Sequence, residues 1–468
     1  MKDYTTISRV YFIGIGGIGM SALARYYLSK KVIVSGYDKT QTPLCRQMER
    51  EGIAIHYEDN IGLLDKDAEL IVYTPAIPKG HREFNYYKEN NYEIAKRSDV
   101  LQQITQSTFN ICIAGTHGKT TISTMVAHIL RHSGFGCNAF LGGISVNYNT
   151  NFWNSDNGVS VIEADEYDRS FLKLSPDVAL ISAMDADHLD IYGTLENMQN
   201  AFVEFANRLK SNGLLLTKYG LPAKGFTAYN HTRYSLQNDA ADAYASNITM
   251  HNGYYEFDVM TKAWMLGHVK LNMGGMHNVE NAIAAIVIAH SLKIEHVKIK
   301  AAVEAFKGVK RRFEYVVSPS EAVKQKNNVV FIDDYAHHPE ELKALIKSAK
   351  SLFSNRKCTV VFQPHLFSRT RDFAHEFAET LDMADEILLL PVYPARELPI
   401  DGVSSELILE RMENKNASVV TNEKLLKYLQ ENYVESVKKS NNGQLLITAG
   451  AGNIDQLIQP VKEILLNA

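Results

Sequence analysis

The chain has 468 residues, 45% of them hydrophobic and 22% charged, with a formal net charge of −4. That length suits roughly three globular domains of ~150 residues, and with no long basic tract neither nucleic acid nor an anionic membrane is expected as the main partner. The four cysteines, Cys45, Cys112, Cys137 and Cys358, form no CxxC or metal-type spacing, the N-terminal MKDYTTIS has no apolar signal region, and no run approaches a membrane span. These features predict a reduced, cytoplasmic protein.

Along the chain, apolar β-branched runs alternate with amphipathic segments. VYFIGI, KVIVSGYD and ELIVYTP read as strands, with helical patterns at about 17–30 and 43–51, a parallel α/β unit ending near residue 105. Its first strand runs into Gly14-x-Gly16-x-x-Gly19, the dinucleotide-binding fingerprint, with Asp38 placed where a ribose-binding acid falls. A second unit opens at NICIAG and holds VSVIEADE, DVALISAMDADH and GLLLT; hairpin-like polarity follows over 225–272, then a helix in MHNVENAIAAIVIAHSL. A third unit follows FKGVKRRFEYV, with strands in NVVFIDDYA, CTVVFQP, EILLLPVY, SVVT and QLLITAGAG. Strands apolar on both faces predict sheets covered on both sides.

NICIAG runs into GTHGKTT, a strand followed by a phosphate loop. The strict pattern would need Gly where Ile113 stands, but Gly115 and Gly118 still allow backbone N–H groups to curl around phosphate oxygens. Lys119 is placed to reach the outer phosphates and Thr120 to hold Mg²⁺. That cation takes oxygen ligands, and VIEADEYD supplies Glu163, Asp165, Glu166 and Asp168 at a strand end, where ligands collect in open α/β sheets. DADHLD adds Asp185, Asp187, His188 and Asp190 after the next strand. The bland alternatives are a Gly-rich turn, an acidic surface loop and a structural histidine.

GTHGKTT, EADEYDRSF, DADHLD, GMHNVENAIAA, GVKRRFE, DDYAHHPEE, FQPHLFSRTRDF and AGAGNI occur in that order. Together they resemble the Mur ligases of peptidoglycan synthesis over about residues 9–455, and FIGIGGIGMSALA narrows the likeness to the alanine-adding branch. The resemblance implies three α/β domains: a Rossmann-like UDP-sugar domain at 1–106, a central P-loop-type ATP domain with a mostly parallel sheet at 107–308, and a Rossmann-like C-terminal domain at 309–468. It implies that the N-terminal glycine turn holds the pyrophosphate of UDP rather than a nicotinamide cofactor. The reaction implied is ATP-driven: the lactyl carboxylate of UDP-N-acetylmuramate is phosphorylated, and the amine of L-alanine displaces phosphate from the acyl phosphate. ATP and Mg²⁺ are the expected cofactors.

Carried over residue by residue, the resemblance assigns Lys119, Glu163 and His188 to catalysis, with Thr120, Glu163 and His188 on the metal. ATP would be held by Gly115, Thr116, Gly118, Lys119, Thr120, Thr121, Asn278, Asn281, Arg312 and Asp334, with Arg311 a solvated neighbour. The UDP-sugar would meet Gly16, Gly17, Ile18, Gly19, Asp38 and His56. The amino acid would meet Tyr335, His337, His338, His365, Arg369 and Arg371, with Arg369 first choice for its carboxylate. The chain departs from the family's usual pattern at Leu366, where Arg is common, at Thr74 and Pro75, and at Tyr167 and Arg169. Residues 191–207 hold no lysine, so no carbamylated lysine is expected. Three rivals remain at this level: a recycling ligase that joins a murein tripeptide to the same sugar nucleotide, an NAD-dependent oxidoreductase, and a non-catalytic ATP-gated binding protein.

Overall fold

The computed structural model describes residues 3–222, 224–324, 328–395 and 397–467, the side chains of Val323 and Lys324 excepted. The sequence builds three sheets. The first contains β1 (Arg9–Ile13), β2 (Ile33–Tyr37), β3 (Ala54–His56), β4 (Leu70–Tyr73) and β5 (Ile94–Lys96), all parallel in the order β3-β2-β1-β4-β5. β1 and β4 are buried along nearly their whole length, as strands covered on both faces must be. The helices expected at 17–30 and 43–51 are found at Ile18–Ser29 and Pro43–Arg50. The second begins with proline at its first position, and the Thr42 hydroxyl accepts from the Cys45 N–H at 3.2 Å.

The second sheet contains β6 (Phe109–Ala114), β7 (Asn138–Ser145), β8 (Thr150–Trp153), β9 (Val159–Glu163), β10 (Val178–Ile181), β11 (Leu214–Lys218), β12 (Asn230–Ser235), β13 (Ala243–His251), β14 (Tyr254–Thr261) and β15 (Met265–Leu271). Their order is β15-β14-β13-β12-β11-β10-β6-β9-β7-β8. The stretch read as hairpin-like over 225–272 is corrected in part: β12 lies parallel to both β11 and β13 and extends the parallel sheet. The third sheet contains β16 (Glu314–Val317), β17 (Val329–Asp334), β18 (Lys357–Phe362), β19 (Glu386–Leu389), β20 (Ala417–Val419) and β21 (Gln444–Ala449), in the order β16-β17-β21-β18-β19-β20. Only β16 is antiparallel to its neighbour.

The chain forms two compact units. One runs to Ser246 and includes Val259–Leu266 and Glu280–Val303; the other comprises Asn247–Asp258, Gly267–Val279 and the chain from Glu304 onward. Both the first sheet and the phosphate-loop strand therefore belong to one unit. The cause is a shared core: the helix Ile18–Ser29 covers β1 and also packs on β7 and β8, with Tyr26 against Phe140 and Phe152. A buried polar joint accompanies it. The Arg25 guanidinium pairs with Glu51 at 2.7 Å and also donates to Asn151, whose amide donates to the Ser21 hydroxyl at 3.0 Å.

Candidate active site

The phosphate loop forms where β6 ends between two parallel neighbours, β10 and β9. Gly115 and Gly118 take φ of +128° and +81°, left-handed conformations that favour glycine. A Cβ at Gly115 would also stand 2.8 Å from the Ala183 amide nitrogen. Gly118 caps the helix Lys119–His132 without any side-chain cap bond, so the positive helix terminus and its N–H groups are directed at an anion site. A Cβ at Gly118 would lie 3.0 Å from Asn281 Oδ1, which places Asn281 against the loop. Thr116 and Thr121 are buried beside it.

Register brings Glu163 to the same place, because Ile113 of β6 pairs with Glu163 of β9. The Thr120 hydroxyl donates to Glu163 Oε1 at 2.9 Å, and the Gly142 N–H donates to Glu163 Oε2 at 2.9 Å. These are oxygen donors of the kind Mg²⁺ prefers. A Cβ at Gly142 would collide with the Glu163 carboxylate. Gly142→Ala is therefore expected to leave folding intact and lower turnover about 10²-fold by displacing that carboxylate, as initial rates of phosphate release would show.

Lys119 Nζ donates to the Gly115 carbonyl at 2.8 Å and to Glu166 Oε1 at 2.7 Å. Glu166, one of the four strand-end acids expected as oxygen ligands, is the one that holds Lys119. It is fully buried, and burial pushes its carboxyl pKa up against the pull of Lys119. His188 sits at φ +49° with the Tyr167 ring edge-on at 5.1 Å. Its nearest acidic company is Glu166 and Asp187, one ligand atom from each of the three lying within 4.8 Å of the others.

Beside this cluster opens a cavity of about 270 Å³, bounded by Gly17, Ile18 and Gly19 on one side and by Leu141, Gly142, Glu163 and Asp165 on the other. Gly17 caps the helix Ile18–Ser29 with no side-chain bond, again leaving a helix terminus for an anion. Arg97 lines the same cavity and stands over Gly19, where a Cβ would meet its guanidinium at 2.6 Å. Arg97 follows β5 in no recognisable motif, so only the fold reveals it. Thr74 also lines the cavity. Asp38 is committed to the turn, its Oδ2 accepting the Gly16 N–H at 2.8 Å. His56 lies outside the cavity lining, with Nε2 2.7 Å from the Tyr11 hydroxyl in a cluster with Glu83.

In the other compact unit, ends of parallel strands again gather the expected residues. Asp334 ends β17, and its carboxylate accepts from the Phe313 and Ala336 N–H groups at 2.6 and 2.8 Å. Burial nevertheless raises its pKa to about 6, against those two bonds and nearby Arg312. Arg312 is exposed, whereas Arg311, read above as a solvated neighbour, is anchored: its Nε pairs with buried Asp333 at 3.3 Å and its guanidinium lies over the Tyr335 ring. Burial of Asp333 overrides the expected solvation of that arginine. Tyr335 packs edge-on to His337, and His337 lies 6.0 Å edge-on from His365. Glu341 accepts the N–H groups of His337 and His338, fixing both at the start of the helix Pro339–Leu352.

His365 Nδ1 and Arg369 Nη1 are buried without a hydrogen-bond partner. Burial, and after it the charge of Arg369, hold His365 below its ordinary pKa. Arg371 is turned elsewhere: its Nε bonds Asp372 at 2.7 Å at the surface. Leu366 adopts φ +72° at the head of the helix Phe367–Asp372. Asn278 lies in the first turn of the expected helix, Met276–Ser291, with its amide donating to the Gly274 carbonyl at 2.7 Å; His277 lies beside it.

Three family descriptions match in chain order: Mur ligase family, catalytic domain at residues 9–108, Mur ligase middle domain at 113–289, and Mur ligase, glutamate ligase domain at 311–452. The UDP-N-acetylmuramate–L-alanine ligase of Cytophaga hutchinsonii is 45% identical over 98% of this chain and 97% of its own. The enzyme of that name from Porphyromonas gingivalis is 44% identical over 98% and 99%. The crystal structure of the UDP-N-acetylmuramate-alanine ligase of Thermotoga maritima superposes with a TM-score of 0.81 at 28% identity, covering 97% of this chain and 98% of that one. The murein peptide ligase of Psychrobacter arcticus shares the fold at a TM-score of 0.65 and 23% identity, over 98% and 99%. On this evidence the chain belongs to the Mur ligase family.

Proposed function

We infer that this chain ligates L-alanine to the lactyl carboxylate of UDP-N-acetylmuramate at the expense of ATP, a step of peptidoglycan precursor synthesis. The single observation that carries the reading is the cavity joining the Gly17–Gly19 helix start to Glu163. A sugar nucleotide with its pyrophosphate on that helix terminus and Arg97 has its sugar directed at the carboxylate beside the phosphate loop. Relatives of 44–45% identity along nearly the whole chain favour alanine over a peptide as the amine.

The chemistry needs two anions to meet. The lactyl carboxylate attacks the γ-phosphate, ADP leaves, and the alanine amine then displaces phosphate from the acyl carbon. Lys119 and the N–H groups of the phosphate loop stabilise the transferring phosphoryl group. Thr120, Glu163 and His188 are the residues to hold Mg²⁺, since the Thr120–Glu163 oxygen pair suits so hard a cation. When bound, the cation neutralises phosphate charge. Asn281, Asn278, Arg312 and Asp334 complete the ATP contacts in this reading, and His365 with Arg369 receives the alanine carboxylate. Domain limits at 1–106, 107–308 and 309–468 belong to the same proposal. Among the described residues no helix is long and apolar enough to cross a membrane, and the four cysteines are buried and unpaired; both support a cytoplasmic enzyme.

If Asp334 binds the ATP ribose it must be ionised to accept hydroxyl protons. With a raised pKa of about 6, the carboxylate is lost as pH falls through that value. ATP affinity is thus expected to weaken from pH 7 to 5, and Asp334→Asn to flatten the dependence. Isothermal titration across that range checks it. The function itself is tested by phosphate release with ATP, Mg²⁺ and UDP-N-acetylmuramate, offered single amino acids or L-Ala-D-Glu-diaminopimelate. Turnover with L-alanine is expected; turnover with the peptide alone would move the chain to the recycling branch.

A further inference from the structure

Asn151 of β8 is fully buried, and its side-chain amide bonds to the helix Ile18–Ser29. The amide nitrogen donates to the Ile18 carbonyl at 2.6 Å and to the Ser21 hydroxyl at 3.0 Å, while the amide oxygen accepts from the Arg25 guanidinium. These partners settle the orientation of the amide, because a carbonyl only accepts and an arginine only donates. The Ser21 hydroxyl donates to the same Ile18 carbonyl at 2.9 Å, and Arg25 is itself held by two bonds to Glu51, at 2.7 and 2.9 Å. The peptide unit gripped in this way is Ile18–Gly19. Its other end is the Gly19 N–H, which precedes the first intrahelical bond, Ser21 N–H to the Gly17 carbonyl. It is one of the donors that a helix start leaves for an outside partner.

Gly17, Ile18 and Gly19 line the 270 Å³ cavity, and Asn151 lies outside its lining. β8 pairs antiparallel with β7, and β7 carries Gly142, whose N–H donates to Glu163 Oε2 at 2.9 Å. One hairpin therefore grips both walls of the cavity, the helix start through Asn151 and the carboxylate through Gly142. We propose that Asn151 is a positioning residue for the sugar nucleotide, aiming the Gly19 N–H at its pyrophosphate and fixing the span from that anchor to Glu163. Hydrogen bonds accepted at the carbonyl end polarise the peptide and strengthen its N–H as a donor. The span matters because the reacting carboxylate of the sugar must arrive beside the phosphate loop, and a misplacement of about 1 Å costs about 10²-fold in rate. This deepens the sugar-nucleotide reading of the cavity and rests on it.

The test titrates UDP alone into the full chain by calorimetry, beside initial rates with all three substrates. Asn151→Asp keeps the size of the side chain and the acceptor for Arg25 but sets an oxygen against the Ile18 carbonyl. It is expected to weaken UDP about tenfold, the loss of roughly one hydrogen bond, and to lower kcat at saturating UDP-sugar about tenfold or more. The dissociation constant of ATP and the KM for L-alanine are expected to stay as in the parent. Ser21→Ala, which removes only a hydroxyl from the same carbonyl, is expected to weaken UDP about threefold and keeps the test in force where the first variant does not fold. Equal UDP isotherms for the parent and both variants would overturn the proposal, as would ATP and UDP binding falling together, the mark of a merely structural residue. Weaker UDP with kcat unchanged would support the aiming of the N–H and overturn the span. A parent that binds no UDP would overturn the sugar-nucleotide reading as well, so the two failures are distinguishable.

Discussion

Replacing Lys119 by methionine is expected to lower turnover about 10³-fold, the scale of removing one preorganised donor to a developing anion. The same change removes the counter-charge of Glu166. Lys119 is 16% exposed and Glu166 0%, so leaving the acid alone should cost about 3 kcal/mol of stability. Adding Glu166→Gln should restore the denaturant midpoint, because the stranded charge is gone, yet leave turnover as low as before. Stability and catalysis are thereby separated at one ion pair. Recovery of both in the double variant would assign Lys119 a structural role and remove it from phosphoryl transfer.

Arg369→Ala is expected to raise the KM for L-alanine roughly 30- to 100-fold, with the KM for ATP nearly unchanged. The estimate follows from losing a charge-assisted bond worth about 2–3 kcal/mol. The ground is that Arg369 Nη1 is a buried charged donor without a partner, with a hydrogen bond left to give to a carboxylate. Arg371 already bonds Asp372 and lies at the surface, so Arg371→Ala should change the same KM less than threefold. Initial rates across alanine concentration, at saturating ATP and UDP-sugar, distinguish the two arginines. The reverse ranking would place the amino-acid site on the outer face of that helix.

The two arginines show where local reading stops. FSRTRD carries both, two residues apart, and nothing in the spacing tells which one turns inward. The turn at Leu366 and the stacking of His365 on Tyr393 decide it. KRRF poses the same problem. Arg311 is drawn inward by Asp333, a neighbour on β17 that is 22 residues away.

What the sequence by itself determined is the set of motifs whose chemistry is local. Gly115 and Gly118 before Lys119 dictate a left-handed loop opening a helix, and the apolar strands before GTHGKTT and EADE dictate strand ends that carry the functional groups. Continuous β-branched runs made the parallel sheets legible, because a strand buried on both faces needs no alternation. Tertiary structure alone decided the rest. Parallel register set Glu163 beside Thr120. The shared helix Ile18–Ser29 joined the first sheet and the phosphate-loop part of the second into one unit. The fold carried Arg97 over Gly19 and left Glu166 with an unpaired oxygen beside His188. These depend on strand order and on burial, and burial is a property of what the rest of the chain packs against a residue, which no short stretch around that residue contains.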